Sequence, residues 1–358
     1  MEVGIIGLPQ VGKKTIFRLL TAVETEKMDA EKTKAPLKGV VEVKDPRFDK
    51  IVSIYSPEKK TPAHITVVLM PKIDKDYIRS GEFYEHLEDS DALCHIVRSF
   101  EDDAIYHIDG TVDAARDIAS INAELILADL VFIEKRLERL DKDLKKKQDK
   151  EEHKERELLD RFKGQLEKEL PLRLLELSDE DRKIISSYPF LTLKPIIIAL
   201  NVAEGDIAKD VLPAEFLEKY LKEGSYFMQT SAKIESELAS IEADNEREQF
   251  LKVLGIEESS IDKMTRLLYE ALGLISFFTT ANKEVRAWTI KKGSTAPQAA
   301  GAIHTDMERG FIRAEVIKYD DLLALGDEHK VKEAGKLMVK GKDYIVCDGD
   351  ILQIRFNV

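Results

Sequence analysis

Apolar residues gather in short runs along the first hundred positions and again near position 200. Val3-Gly4-Ile5-Ile6, Ile65–Met70, Ala92–Phe100 and Pro195–Asn201 each read as buried strands, with Ser225–Gln229 a weaker fifth. Between several of them the spacing is helical: Lys13–Val23 puts Ile16, Phe17, Leu19 and Leu20 on one face. Strands alternating with amphipathic helices predict an α/β domain on a parallel sheet. Glu24–Leu37 is charged and aperiodic, and predicts a loop. From about Ile121 the pattern changes, and Leu130, Ile133, Leu137, Leu140 and Leu144 follow the alternating three–four seam of a coiled coil. Lys142–Glu157 has no apolar residue except Leu144, and Leu159, Phe162, Leu166 and Leu170 then form a second series. Two such helices predict an antiparallel hairpin over residues 121–187 with a charged tip, and Ser178 with Asp181 has the spacing of a capping box. From Ser276 onward the segments are short and alternating: Val285–Ile290, Arg313–Ile317, Lys336–Val339 and Ile351–Phe356 read as strands, and Pro297–Ile303 as a helix. A small mixed β domain over residues 276–358 fits them.

Composition narrows this picture. The 358 residues suffice for two or three domains with cores of their own. No apolar run reaches the roughly 18 residues of a membrane span, and the chain runs from Met1 straight into a strand, so neither membrane nor signal peptide is expected. Only Cys94 and Cys347 are present, which excludes a disulfide framework and leaves both expected as small buried hydrophobes in a reduced cytoplasm. The seven histidines show no metal-ligand spacing. Net charge is -13, so a polyanion would be repelled in bulk and any nucleic-acid contact must come from a local patch.

The first helix carries the clearest chemistry. Gly7-Leu8-Pro9-Gln10-Val11-Gly12-Lys13-Lys14-Thr15 follows a strand and opens a helix, matching G-x-x-x-x-G-K-[ST] at Gly7, Gly12 and Lys13. In such a loop backbone N–H groups and the helix end surround phosphates, and the lysine adds a point charge. The last template position holds the hydroxyl that ligates Mg²⁺; here it is Lys14. Downstream, Asn201-Val202-Ala203-Glu204 closes an apolar strand where a guanine-reading N-K-x-D would stand, and Ser231-Ala232-Lys233 follows the next strand. The missing lysine and altered carboxylate weaken the case for guanine and leave ATP or GTP open. The candidate nucleotide contacts are therefore Gly7, Gln10, Val11, Gly12, Lys13, Lys14, Thr15, Asn201, Val202, Glu204, Ser231 and Ala232.

Through these residues the chain resembles the YchF-type branch of the Obg-like P-loop proteins over nearly its whole length. The resemblance rests also on Leu191-Thr192-Leu193-Lys194-Pro195, Glu284–Thr289, Ala300–Asp306 and Gly310–Val316. It implies a P-loop NTPase (G-domain) sheet over residues 1–120 and 188–275, the inserted helical hairpin, and a C-terminal ubiquitin-like (β-grasp) TGS domain. It implies ATP bound at least as well as GTP, and the ribosome, or ribosomal RNA or protein, as partner; a cytoplasmic monomer is expected. The sequence departs from that family where Gln10 and Lys14 replace an asparagine and a serine. It departs again where the family's D-x-A-G falls on Leu69-Met70-Pro71-Lys72, and in the short charged stretch Ile73–Leu87. Mg²⁺ thus lacks its usual ligands, with Thr33 the one remaining metal candidate, and His107 matches a histidine implied in hydrolysis. Three functions stay open: a ribosome-associated nucleotide-binding regulator with weak or absent hydrolysis, an active Mg²⁺-dependent ATPase or GTPase, and a nucleotide-free scaffold.

Overall fold

The computed structural model describes residues 1–23, 35–71, 82–145, 149–281 and 283–357. Thr33, Lys72 and part of the expected charged tip lie outside the described residues. The chain divides into two compact units, Met1–Gly39 with Thr66–Met264, and Val40–Ile65 with Thr265–Val358. In order it forms β1 (Glu2–Ile6), α1 (Lys13–Thr21), β2 (Leu37–Val43), α2 (Pro46–Tyr55), β3 (Lys59–Thr61), β4 (Ala63–Leu69), α3 (Glu82–Glu88) and β5 (Ala92–Ser99). There follow α4 (Ala114–Leu144), α5 (Lys150–Leu166), α6 (Asp179–Ile184), β6 (Ile196–Val202), α7 (Ala214–Lys222), β7 (Ser225–Thr230) and α8 (Ala232–Ser240). The rest is α9 (Asp244–Val253), α10 (Ser260–Ala271), β8 (Leu274–Thr279), β9 (Glu284–Lys291), α11 (Ala296–Ile303), α12 (Thr305–Arg309), β10 (Phe311–Ile317), α13 (Tyr319–Leu325), α14 (Glu328–Glu333), β11 (Met338–Lys340) and β12 (Ile351–Phe356).

Strands β1, β5, β6 and β7 of the first unit belong to a sheet of order β2-β4-β1-β5-β6-β7. Strands β4, β1, β5, β6 and β7 pair in parallel. Every residue of β6 is buried, as a central parallel strand covered on both faces requires. The mixed α/β fold read from the sequence is thus the fold observed.

The hairpin differs in extent from its expected 121–187. Helix α4 begins seven residues earlier, at Ala114, where the Asp113 side chain accepts the Arg116 N–H at 3.0 Å. Helix α5 begins at Lys150 behind Asp149, so most of the supposed tip is helix. The charges that hid it pair across helices: Arg136 with Glu155 at 2.6 Å, Arg156 with Asp141 at 2.7 Å, Lys163 with Glu134 at 2.8 Å. Ile126, Ile133 and Leu140 recur every seven residues and pack with Leu159, Phe162 and Leu166. The capping box at Ser178 and Asp181 is present.

The second unit carries a sheet of order β11-β10-β12-β8-β9-β3, with α11 laying Ala296, Ala299 and Ala300 into its core. It contains residues 40–65, which lie outside the expected 276–358. Strand β3 extends it beside β9, Phe48 packs on Phe278, and Arg47 reaches both Asp45 and Asp348. One cysteine corrects the sequence reading: Cys94 is buried, but Cys347 is exposed. Among the described residues no helix is long and apolar enough to cross a membrane.

Candidate functional site

The loop between β1 and α1 owes its shape to two glycines. Gly7 has φ +146°, and a Cβ there would strike the Ile96 carbonyl; Gly12 has φ +97°, and a Cβ there would strike Asn201 Nδ2. Both conformations favour glycine over any side chain. Gln10, at φ +60°, takes the left-handed conformation without that freedom. Helix α1 starts on Gly12 with no capping side chain and no acidic residue in its first turn, so its amide end faces anions unopposed. Lys13 is buried, its ammonium held by the carbonyls of Gly7 and, at 2.6 Å, Leu8. Lys14 is exposed and Thr15 half-buried in the same turn. Val11 points into the core and offers the loop only its backbone.

Asn201 ties this loop to the opposite turn. Only 3% exposed at the end of β6, it donates Nδ2 to Val11 O at 3.0 Å and accepts the Ala232 N–H on Oδ1 at 3.0 Å. Its amide therefore acts as a staple between three segments. Val202 belongs to an apolar cluster, and Glu204 pairs with Lys233 at 2.6 Å on the surface. Ser231 is different: it is 2% exposed and its hydroxyl has no hydrogen-bond partner among the described residues. Nor has Gln229 Oε1, and both residues line a cavity of about 320 Å³ with Ile207, Ile234 and Ser260. Buried polar atoms left without partners mark a place built for a polar ligand or water. On the neighbouring strand, burial first and the Lys13 charge second push the His95 imidazole down to about 3, so it is neutral under the loop.

His107 is not joined to this constellation by any hydrogen bond among the described residues. Its Nδ1 accepts the Asp109 N–H at 3.2 Å, so Nε2 carries the proton and donates to Asp117 Oδ2 at 2.9 Å. Asp117 Oδ1 accepts Arg116 Nε and Nη2 at 3.0 and 2.8 Å. Both ring nitrogens are engaged in pinning the loop before α4. Sequence reasoning missed Arg98, 1% exposed, whose guanidinium holds the same loop through the carbonyls of Phe100 and Ile105 at 3.0 Å. An arginine inside an apolar strand was the available signal. It also gave no role to Asp129, which accepts the N–H groups of Leu191 and Thr192 at 2.8 Å and the Thr192 hydroxyl at 2.6 Å. Lys194 donates to the carbonyls of Leu87 at 3.0 Å and Glu88 at 2.7 Å. The Leu191–Pro195 motif is thus an anchor that fixes the start of β6.

On the other flank the residues do not suit a divalent metal. Register places Leu69 beside Ile5, and Met70 N–H donates to Ile5 O at 3.1 Å. The strand next to β1 is where a P-loop protein keeps its Mg²⁺-supporting aspartate. Here Leu69 and Met70 are buried apolar residues, and Lys14 stands where the liganding hydroxyl belongs.

A parallel sheet whose first strand ends in a glycine loop, with Lys13 opening the next helix and two further turns closing on it, defines a P-loop α/β protein of G-domain type. Comparisons agree with that class. The YchF-GTPase_C family, described as "Protein of unknown function (DUF933)", matches residues 274–357. The Ribosome-binding ATPase YchF of Bacillus subtilis (strain 168) is 42% identical over 366 residues, covering 100% of each chain. Obg-like ATPase 1 of Caenorhabditis elegans is 39% identical, covering 100% of this chain and 92% of its own. The solved structure of the Schizosaccharomyces pombe YchF GTPase has a TM-score of 0.84 at 32% identity, covering 99% of this chain and 97% of that one. The chain belongs to the YchF family.

Proposed function

We propose that this protein is a ribosome-associated, nucleotide-binding regulator that holds ATP or GTP on residues 7–15 and hydrolyses it weakly or not at all. The single observation that carries this reading is the formed cradle. Gly7 and Gly12 keep the conformations that let backbone amides converge, and Asn201 fastens the loop to the turn at Ser231 and Ala232. In this reading the amides and Lys13 hold the phosphates, while the unpartnered Ser231 hydroxyl lies on the base side. Both ATP and GTP remain open as the ligand, and the pairing of Glu204 with Lys233 weakens the case for guanine.

Weak hydrolysis follows from the metal flank. Phosphoryl transfer depends on neutralising charge, and both usual Mg²⁺ supports are replaced, by Lys14 and Leu69. Losing about 4 kcal/mol of transition-state stabilisation slows turnover about a thousandfold. The ribosome as partner is supported by the name of the Bacillus subtilis relative. We assign that contact to the hairpin and to the C-terminal unit, read as a TGS domain, and place the protein in the cytoplasm as a monomer. Co-sedimentation with ribosomes, alone and with ATP or GTP, tests the partner. Phosphate release with Lys13→Ala as control tests the enzymology. Binding that responds to nucleotide, with release no faster than in Lys13→Ala, is the expected result. Lys13-dependent release at the rate of an active ATPase would overturn the regulator reading.

A further inference from the structure

Resting on the nucleotide site proposed above, we infer that the Lys14 ammonium stands in for the divalent cation, so that the loop binds a nucleoside triphosphate without metal. The residue after the loop lysine is the one that faces the cation bridging the β- and γ-phosphates. Here that residue is a lysine in the first turn of α1, exposed, with no hydrogen bond or ion pair to any described residue. The first turn of α1 contains no acidic residue to neutralise it. Across the loop, the end of β4 offers a buried leucine, 8% exposed, and a buried methionine, 3% exposed, where an outer carboxylate would orient metal-bound water. The two changes belong together. With an ammonium supplying the positive charge, a carboxylate at Leu69 would have no cation to serve.

The consequence has a sign. A metal already chelated by the phosphates would bring a dication up against the Lys14 ammonium, and like charges at contact distance repel. Metal-free triphosphate is therefore the preferred form of the ligand, the reverse of the usual loop.

Calorimetric titration of the full chain with ATP in excess EDTA and in excess MgCl₂ tests this, using wild type, Lys14→Ala and Lys14→Ser. Wild type is expected to bind in EDTA at least as tightly as in Mg²⁺. Lys14→Ala should weaken the EDTA affinity by about tenfold or more, the loss of one charge-assisted contact. Lys14→Ser should shift the preference toward Mg²⁺. Because Lys14 is exposed, ligand-free unfolding midpoints should not change; if a midpoint does fall, Lys14→Arg, which keeps the charge, must retain the EDTA affinity. Wild-type binding that is about tenfold tighter with Mg²⁺, or an EDTA affinity unchanged in Lys14→Ala, overturns the inference and leaves the nucleotide site standing. No binding under either condition removes both.

Discussion

The two flanks of the phosphate loop have been treated differently. On the Asn201 side every polar group of the staple has a protein partner, and Gly12 gives up its Cβ so that the amide can come close. On the β4 side Leu69 and Met70 are buried apolar residues, and the first turn of α1 carries the exposed Lys14. If the loop is read as the proposed nucleotide site, the shape of the cradle and the chemistry of its cation are separable. The first is held by packing and backbone geometry, the second, in the proposed reading, by the side chains at positions 14 and 69.

The largest expected effect is at the staple. Gly12→Ala puts a methyl group onto Asn201 Nδ2 at a backbone angle unsuited to alanine, and should cost about 4 kcal/mol in urea unfolding together with nucleotide binding. A change below about 1 kcal/mol would mean that the loop is not fastened as described. On the other flank, Leu69→Asp should cost about 3 kcal/mol, because it buries a carboxylate without a partner. If Mg²⁺ restored that stability, the flank would be a dormant metal site rather than core.

A third measurement concerns the strand beneath the loop. His95 is buried neutral, its pKa lowered to about 3 from an ordinary 6.5, so the unfolded chain binds a proton that the folded chain refuses between those values. Its contribution is fully present above pH 6.5 and is lost as pH falls toward 3. Stability should drop by about 2 kcal/mol between pH 6.5 and 5 from this residue alone, and His95→Gln should flatten that limb. Equal acid limbs in the two proteins would show that His95 is not the group responsible. The smallest effect is on the surface: Lys233→Ala breaks an exposed ion pair with Glu204 and should change stability by less than about 0.5 kcal/mol.

Much of this architecture could be read from residues alone, and the exceptions have physical causes. Strands β1, β4, β5 and β6 were visible because central parallel strands are continuous apolar runs, bounded at the site by Gly7 and Asn201. The first turns of α5 were not, because a solvated helix stabilised by Arg156–Asp141 and Arg136–Glu155 pairs has the composition of a loop. Residues 40–65 were also missed, since α2 and β3 complete a core whose other half lies more than 200 positions away, and no local pattern encodes such a partner. Asn201 stood among the candidate nucleotide contacts, but its position in sequence does not distinguish a base contact from a staple. Only the two hydrogen bonds do. His107 likewise carries the right residue type, while its bonds to Asp109 and Asp117 give it a structural task.

The most direct test of the account is a titration of the intact protein with ATP and with GTP, followed by heat, beside Lys13→Ala. Saturable binding of at least one nucleotide at a single site, lost in the variant, is the expected result. Flat titrations with both nucleotides, or binding that survives Lys13→Ala undiminished, would contradict it.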